Sequence, residues 1–234
     1  MPAASLVIPC YNEAKNIPDL VARCRSVLAR DDLEIILVDN GSIDDSPKLL
    51  AEAVHGQDRL RTIRVDVNQG YGFGILSGLR SARGDILAWT HADMQTDPAD
   101  ILAGLELFKK HPHDQLFVKG RRYGRPMTDV FFTTGMSAYE TLIFRAPFWD
   151  VNAQPTMFTR AFFETWKNPP HDFALDLYVY WAAKAAEIDI RRFPVHFGPR
   201  RHGQSHWNFG FLSRLKMIRR VIGYSWQLRK KLVE

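Results

Sequence analysis

Short apolar runs and segments of helical spacing alternate along the first half of the chain. The runs at 5–8, 34–38, 62–65 and 85–89 have few polar interruptions and predict buried strands. Between them Ile17, Leu20, Val21, Val27 and Leu28 recur at helical intervals, as do Leu49, Leu50 and Ala53, and then Ile75, Leu76 and Leu79. Strand followed by helix, repeated, predicts βαβ units that build a mostly parallel sheet with helices on both faces. A further helix is expected after Pro98, with Ile101, Leu102, Leu105 and Phe108 as its buried stripe. Beyond about residue 115 the alternation loosens. There the pattern predicts a strand over 116–119, a helix over 136–144, a helix over 174–186, a strand over 188–193 and a loop over 197–208. Finally Phe211, Leu215, Ile218, Ile222 and Trp226 form an apolar stripe, with Arg214, Lys216, Arg219 and Arg220 largely elsewhere on the cylinder. That is an amphipathic pattern, read as one helix or as two short ones meeting at Gly223.

Composition adds boundaries to this α/β reading. With 234 residues, 46% hydrophobic and 24% charged, the chain is expected to form one α/β domain over 1–206 and a basic, helical appendage over 207–234. Two cysteines, Cys10 and Cys24, exclude a disulfide scaffold and a cysteine-rich zinc module. No apolar run reaches the roughly 18 residues of a membrane-spanning helix. The N-terminus lacks the basic and long apolar regions of a secretory signal, so a cytoplasmic location is expected. The net charge of +5 is uneven, because seven Lys or Arg and one acid give residues 207–234 a charge of +6 and leave −1 for the rest. Such a tail suits an anionic membrane surface or nucleic acid on charge alone. No aromatic-basic RNA module accompanies it.

In an open parallel sheet, ligands bind beyond the carboxyl ends of the strands. The first predicted strand is followed by Pro9-Cys10-Tyr11-Asn12-Glu13, the second by Asp39-Asn40-Gly41-Ser42-Ile43-Asp44-Asp45, and the fourth by His91-Ala92-Asp93-Met94-Gln95. These should converge on one rim rich in carboxylates. The third strand leads into Asn68-Gln69-Gly70-Tyr71-Gly72-Phe73-Gly74, a glycine-rich turn that allows close backbone approach to a ligand.

At these residues the chain resembles the inverting family-2 glycosyltransferases with the GT-A, Rossmann-like fold. The matching pieces are Val7-Ile8-Pro9-Cys10-Tyr11-Asn12-Glu13, Val38-Asp39-Asn40-Gly41-Ser42, Asn68 with Gly70, and Gly84-Asp85 leading into Ala92-Asp93. Downstream, Gly120-Arg121-Arg122-Tyr123 and Arg200-Arg201-His202-Gly203-Gln204-Ser205 look like the dolichyl- or polyprenyl-phosphate sugar synthases, whereas Asn152-Ala153-Gln154-Pro155 departs from that branch.

The resemblance implies a nucleoside-diphosphate sugar as donor, its base and ribose framed by Pro9, Tyr11, Glu13 and Asp39, with Asn40, Gly70 and Ala92 nearby. A carboxylate such as Asp39 accepts hydrogen bonds from a base N–H or a ribose hydroxyl; the alternative is that it caps the following turn. The family places two acids either side of one residue to hold a metal. Here His91 takes the place of the first, Asp93 is the second, and Gln95 matches a third ligand of the polyprenyl-phosphate branch. A divalent ion, Mg²⁺ or Mn²⁺, would neutralise charge on the leaving diphosphate. Magnesium prefers oxygen ligands and manganese tolerates imidazole better, so His91 stays open between ligand, phosphate donor and packing residue. Arg122 and Arg200 are the expected diphosphate cations, with Ser205 as a hydroxyl donor and Arg200 counted among the catalytic groups.

The acceptor decides whether a base is needed. An attacking hydroxyl benefits from a carboxylate that takes its proton, and Asp172 and Asp176 are the candidates; an ionised lipid phosphate needs none. Their other reading is acids favoured at a helix N-terminus. Taken together, the expectation is an inverting, metal-dependent transferase acting on a membrane lipid, either a polyprenyl phosphate or a lipid-linked saccharide. It would work from the inner face of a membrane contacted through the basic C-terminal helix. The rivals are transfer to a soluble or glycan hydroxyl, and a non-catalytic nucleotide-sugar-binding protein.

Overall fold

The computed structural model describes residues 3–111, 115–202 and 210–230. Four strand–helix units come first: β1 (Ala4–Cys10), α1 (Ile17–Val27), β2 (Leu33–Asn40), α2 (Ser46–Val54), β3 (Leu60–Val65), α3 (Tyr71–Ser81), β4 (Ile86–Trp89) and α4 (Asp100–Lys110). There follow β5 (Leu116–Tyr123), α5 (Met127–Phe144), β6 (Thr156–Thr159), α6 (Arg160–Glu164), α7 (Ala174–Ala185), β7 (Asp189–His196) and α8 (Gly210–Lys230). One seven-stranded sheet has the order β3-β2-β1-β4-β6-β5-β7. Every pairing is parallel except those of β6, which runs antiparallel to both β4 and β5. The α/β architecture, mostly parallel with helices on both faces, is as expected.

Period-two alternation divides the core. Leu6, Ile8, Ile35 and Leu37 face a cluster built with Leu20 and Cys24 of α1, Leu50 of α2, and Ile101 and Leu105 of α4. Their neighbours Val7, Ile36 and Val38 face the opposite cluster, built with Ile75, Leu76 and Leu79 of α3 and Leu175 and Val179 of α7. Strands covered on both faces read as continuous apolar runs, which is why β1 and β2 stand out in the sequence.

Two elements differ from expectation, and a third decides between two readings. Helix α5 begins at Met127, nine residues before the predicted start at 136; its first turns hold Val130, Phe131, Phe132, Thr133 and Thr134, which are poor helix formers and give no amphipathic period. Strand β6 has only four residues, too short for any period to show. Helix α8 runs unbroken through Gly223, packs against α5 and α7, and buries Ser225 and Leu228.

Helix α3 reaches the sheet through Gly78, where an added Cβ would stand 2.3 Å from Val7 Cγ1 and 2.9 Å from Val38 Cγ2. Overpacking of this kind costs about 1–3 kcal/mol, against a gain of at most about 1 kcal/mol in helix propensity. Gly78→Ala is therefore expected to lower the unfolding free energy in urea titrations. Unchanged or higher stability would show that α3 does not lie this close.

Candidate active site

The carboxyl ends of β2, β1 and β4 lie side by side, and their loops are stapled together. Asn12 is left-handed (φ 54°), which turns the chain sharply after β1. Its N–H donates to Ser42 Oγ at 3.1 Å and its Oδ1 accepts from Ile43 N at 3.0 Å. Glu13 N donates to Ser46 Oγ at 2.9 Å. Asp39, 2% exposed, divides its two oxygens. Oδ1 accepts from Ser42 N at 2.9 Å, the turn-capping role, while Oδ2 is buried without a hydrogen-bond partner and lies 3.6 Å from Arg64 Nε. A buried oxygen of this kind keeps its capacity to accept a hydrogen bond. Asn40 Nδ2 donates to Gly70 O at 3.0 Å, tying β2 to the glycine-rich turn. Gly70 itself has φ 114°, and a Cβ there would stand 2.4 Å from His171 O.

The loop after β4 is closed by a hydrogen bond of 3.0 Å between the Thr90 and Thr96 hydroxyls. Asp93 Oδ1 accepts from Gln95 N at 3.1 Å and Oδ2 from Arg200 Nη2 at 2.8 Å. Arg200 Nη1 also lies 3.6 Å from Glu13 Oε1. Gln95 Nε2 donates to Gly198 O, and Gly198 N donates to Gln95 O, so the 197–202 segment is moored to this loop. The structure thus brings Glu13, Asp93, Gln95 and Arg200 to one point, with Ala92 buried beside them. Pro9 and Tyr11 stand on the same rim, half-buried and exposed respectively.

Beneath the rim is a buried polar layer. His91 stacks on Tyr71 with ring centroids 5.7 Å apart, and Tyr71 stacks on Phe173 at 4.6 Å. Burial lowers the His91 pKa, although Asp93 and Asp176 pull it upward. Asp176, 1% exposed, accepts from Gln154 Nε2 at 2.8 Å and lies 3.9 Å from Lys119 Nζ. Burial raises its proton affinity, against the pull of Lys119 and His91. Lys119 is itself fully buried and donates to Thr156 Oγ1 at 2.6 Å; burial pushes it down to about 7.

Other expected residues lie elsewhere or are engaged otherwise. Asp172 Oδ1 accepts from Ala174 N at 3.0 Å, so it caps the start of α7. The Arg122 fork, expected on the diphosphate, is taken by Asp150, which Arg125 also approaches at 3.6 Å, and the guanidinium lies over the Phe197 ring. Ser205 lies outside the described residues. Tyr71, Lys119, Asp150 and Gln154 were not among the expected site residues; the signals available were the glycine-rich turn that holds Tyr71, the departure from the polyprenol pattern at Gln154, and a lysine in the apolar run of β5.

Among the described residues no three His, Cys, Asp or Glu form a cluster able to hold a metal. Asp93, His91 and Gln95 carry donor atoms of the kinds that divalent cations take, and both Asp93 oxygens already accept hydrogen bonds, from Gln95 N and Arg200.

Comparisons with known proteins agree with this geometry. The model of glycosyl transferase family 2 matches residues 5–179. Over 103 residues, 42% of this chain, the sequence is 38% identical to the undecaprenyl-phosphate 4-deoxy-4-formamido-L-arabinose transferase of Proteus mirabilis and 42% identical to that of Pseudomonas paraeruginosa. The matched stretch spans 31% and 30% of those proteins, so the chain covers less than a third of the curated relatives it matches. Among solved structures, the glucosyl-3-phosphoglycerate synthase of Mycobacterium tuberculosis with Mn²⁺, UDP-glucose and phosphoglyceric acid is similar with a TM-score of 0.71 at 18% identity, over 97% of this chain and 79% of that one. A mannosyltransferase of Pyrobaculum calidifontis with GDP-Man and Mn²⁺ gives 0.63 at 20% identity, over 86% and 58%. These likenesses show that the fold is GT-A.

The Arg122–Asp150 pair yields a test. Burial opposes ionisation of Asp150, but Arg122 and then Arg125 outweigh it and hold the carboxyl below its ordinary value of 3.8. A depressed folded-state pKa contributes stability above the ordinary value, and this is lost as pH falls through the depressed one. Arg122→Met should therefore cost up to about 3 kcal/mol at pH 7, with the gap to wild type closing as Asp150 protonates in both proteins. Urea titrations from neutral to acid pH would show it; a gap independent of pH would contradict the pairing.

Proposed function

Since the chain belongs to glycosyl transferase family 2, we propose that it is an inverting glycosyltransferase taking its sugar from a nucleoside-diphosphate donor. The observation that carries this reading is Asp93, buried at the carboxyl edge of the sheet and oriented by Gln95 N and Arg200, two residues from His91. The orphaned Oδ2 of Asp39 supplies the acceptor for base or ribose, at the place in the rim where the nucleoside belongs. The mannosyltransferase and the phosphoglycerate synthase were crystallised with nucleotide sugar and Mn²⁺, which supports a divalent cofactor, Mg²⁺ or Mn²⁺. Asp93 would hold it with His91 and Gln95, and when bound it supplies Lewis-acid neutralisation of the leaving diphosphate.

The chain's own groups then divide the work. Pro9, Tyr11, Glu13, Asp39 and Asn40 frame the nucleoside, and Gly70 lets the backbone approach it. Arg200 is a counter-ion: it pairs with Asp93, lies near Glu13 and is placed to take phosphate oxygens once the donor enters. Transfer is a direct displacement, with much of the rate coming from holding acceptor and donor in line.

The acceptor in this proposal is a polyprenyl phosphate or another membrane lipid, because the curated relatives are named as undecaprenyl-phosphate transferases. Among the described residues no helix is long and apolar enough to cross a membrane; in this proposal the enzyme meets the lipid at a membrane surface, with α8 as one contact. Asp176 favours a second reading, transfer to a hydroxyl. A buried carboxylate with raised proton affinity, oriented by Gln154, suits a general base.

Two experiments test this. Asp93→Ala is expected to lose at least about a hundredfold in transfer and in Mn²⁺-dependent donor binding, and full activity would refute its role. Organic extraction after incubation with radiolabelled donor and membranes separates the acceptors. An acid-labile label in the lipid phase supports the lipid phosphate; label confined to water-soluble glycan supports the hydroxyl.

A further inference from the structure

Helix α5 departs from the usual economy of a surface helix. Its outward stripe is Met127, Phe131 and Leu142, which are 80%, 77% and 76% exposed, with Thr134, Gly135 and Ala138 exposed between them. Outward helix faces are ordinarily charged, yet the only ionisable acids or bases of α5 besides Tyr139 are Asp129, half-buried, and Glu140, buried. Phe132 (41%) and Trp149 (41%) widen the apolar surface. A soluble monomer seldom leaves so large a contiguous patch uncovered.

Cations ring this surface. An open groove of about 640 Å³ lies between α5 and the segment after it, with Ala138, Leu142, Phe148 and Trp149 along its length and Arg145 among its lining residues. Arg121 is exposed near the other end of α5, and Arg219 and Arg220 are exposed on α8, the helix that packs beside it. Tyr123 and Trp226 are half-exposed nearby in the same elements; such rings, apolar with one polar atom, favour a boundary between oil and water.

We propose that α5 is the apolar foot by which this protein rests on an anionic lipid bilayer, with Phe131, Leu142 and Met127 entering the acyl region while Arg145, Arg219 and Arg220 meet headgroup phosphates. An acyl chain along the groove beside α5, with its phosphate at Arg145, satisfies both halves of that surface. A second copy of the chain fits less well. A two-fold contact through this face would bring two copies of the cationic flank together, including the exposed Arg145, Arg219 and Arg220. The proposal deepens the lipid-acceptor reading by locating the face presented to the lipid, and it does not require α8 to insert.

The test is flotation of the full chain with phosphatidylcholine vesicles, with and without phosphatidylglycerol. Wild type should float with the anionic vesicles, and more weakly at high salt. Each large apolar side chain lost should weaken partitioning by roughly tenfold, so Phe131→Glu with Leu142→Glu should abolish flotation. Both side chains are exposed, so thermal unfolding and the shift produced by Mn²⁺ with UDP-glucose or GDP-mannose should match wild type. Flotation of the double variant equal to wild type, or no flotation of wild type, overturns the proposal. So does a wild-type dimer in sedimentation that the double variant dissociates, since the face would then serve a second copy. Lipid-linked product with unchanged flotation of the variant would sink α5 alone; lost flotation with only water-soluble product would sink the lipid acceptor alone.

Discussion

The structure depends on the contact of Arg200 with Asp93 and Glu13. A carboxylate taken from water without a partner loses several kcal/mol of hydration, and Asp93 is only 7% exposed. A guanidinium that reaches Asp93 at 2.8 Å and Glu13 at 3.6 Å offsets that cost for two loops at once. It also gives the 197–202 segment a reason to lie across the sheet edge rather than in solvent. The same cation holds the loops after β1 and β4 to the 197–202 segment.

Beneath this contact lies a second charge balance. Lys119 is fully buried, a position lysine almost never takes without a partner, and it has Thr156 and Asp176 around its ammonium. Gln154 completes the set, its Nε2 donating to the same Asp176 Oδ1 that Lys119 approaches. Neither Lys119 nor Asp176 could stay ionised alone at that depth. Together they form a polar floor under the Tyr71–His91 stack, and a polar floor fixes positions more tightly than an apolar one because each hydrogen bond has a direction. Asn152-Ala153-Gln154-Pro155, where the sequence leaves the polyprenol pattern, supplies a member of that floor.

What the sequence revealed followed from its own physics. Covered parallel strands must be continuously apolar, so β1 and β2 declared themselves, and whatever follows such strands must lie on the ligand rim. That placed Glu13, Asp39 and Asp93 in advance. Residues whose partners come from other elements could not be read the same way. Asp150 lies 28 residues from Arg122 and Thr156 lies 37 from Lys119, and no local pattern couples them. For Asp39 both sequence readings hold, one for each oxygen, a division that no one-dimensional pattern contains. Helix α5 was shortened in the sequence reading because its outward face is apolar, and a helix without a polar side has no amphipathic period to find.

The sheet order explains why the legible and illegible parts fall where they do. Strands β3, β2, β1 and β4 form one side of the sheet, all parallel, and they carry the proposed donor residues. Strand β6 then reverses direction, and beyond it lie β5 and β7, with α5 leaving the end of β5 and the 197–202 segment leaving the end of β7. A donor common to a whole family calls for the same groups at the same strand ends, which the βαβ half provides by construction. An acceptor differs from one member to the next, and the irregular half can change there without disturbing the donor side. Asp93 and Arg200 meet across that divide, one from β4 and the other from beyond β7. The contact that holds the rim together thus joins the regular and the irregular halves of the sheet.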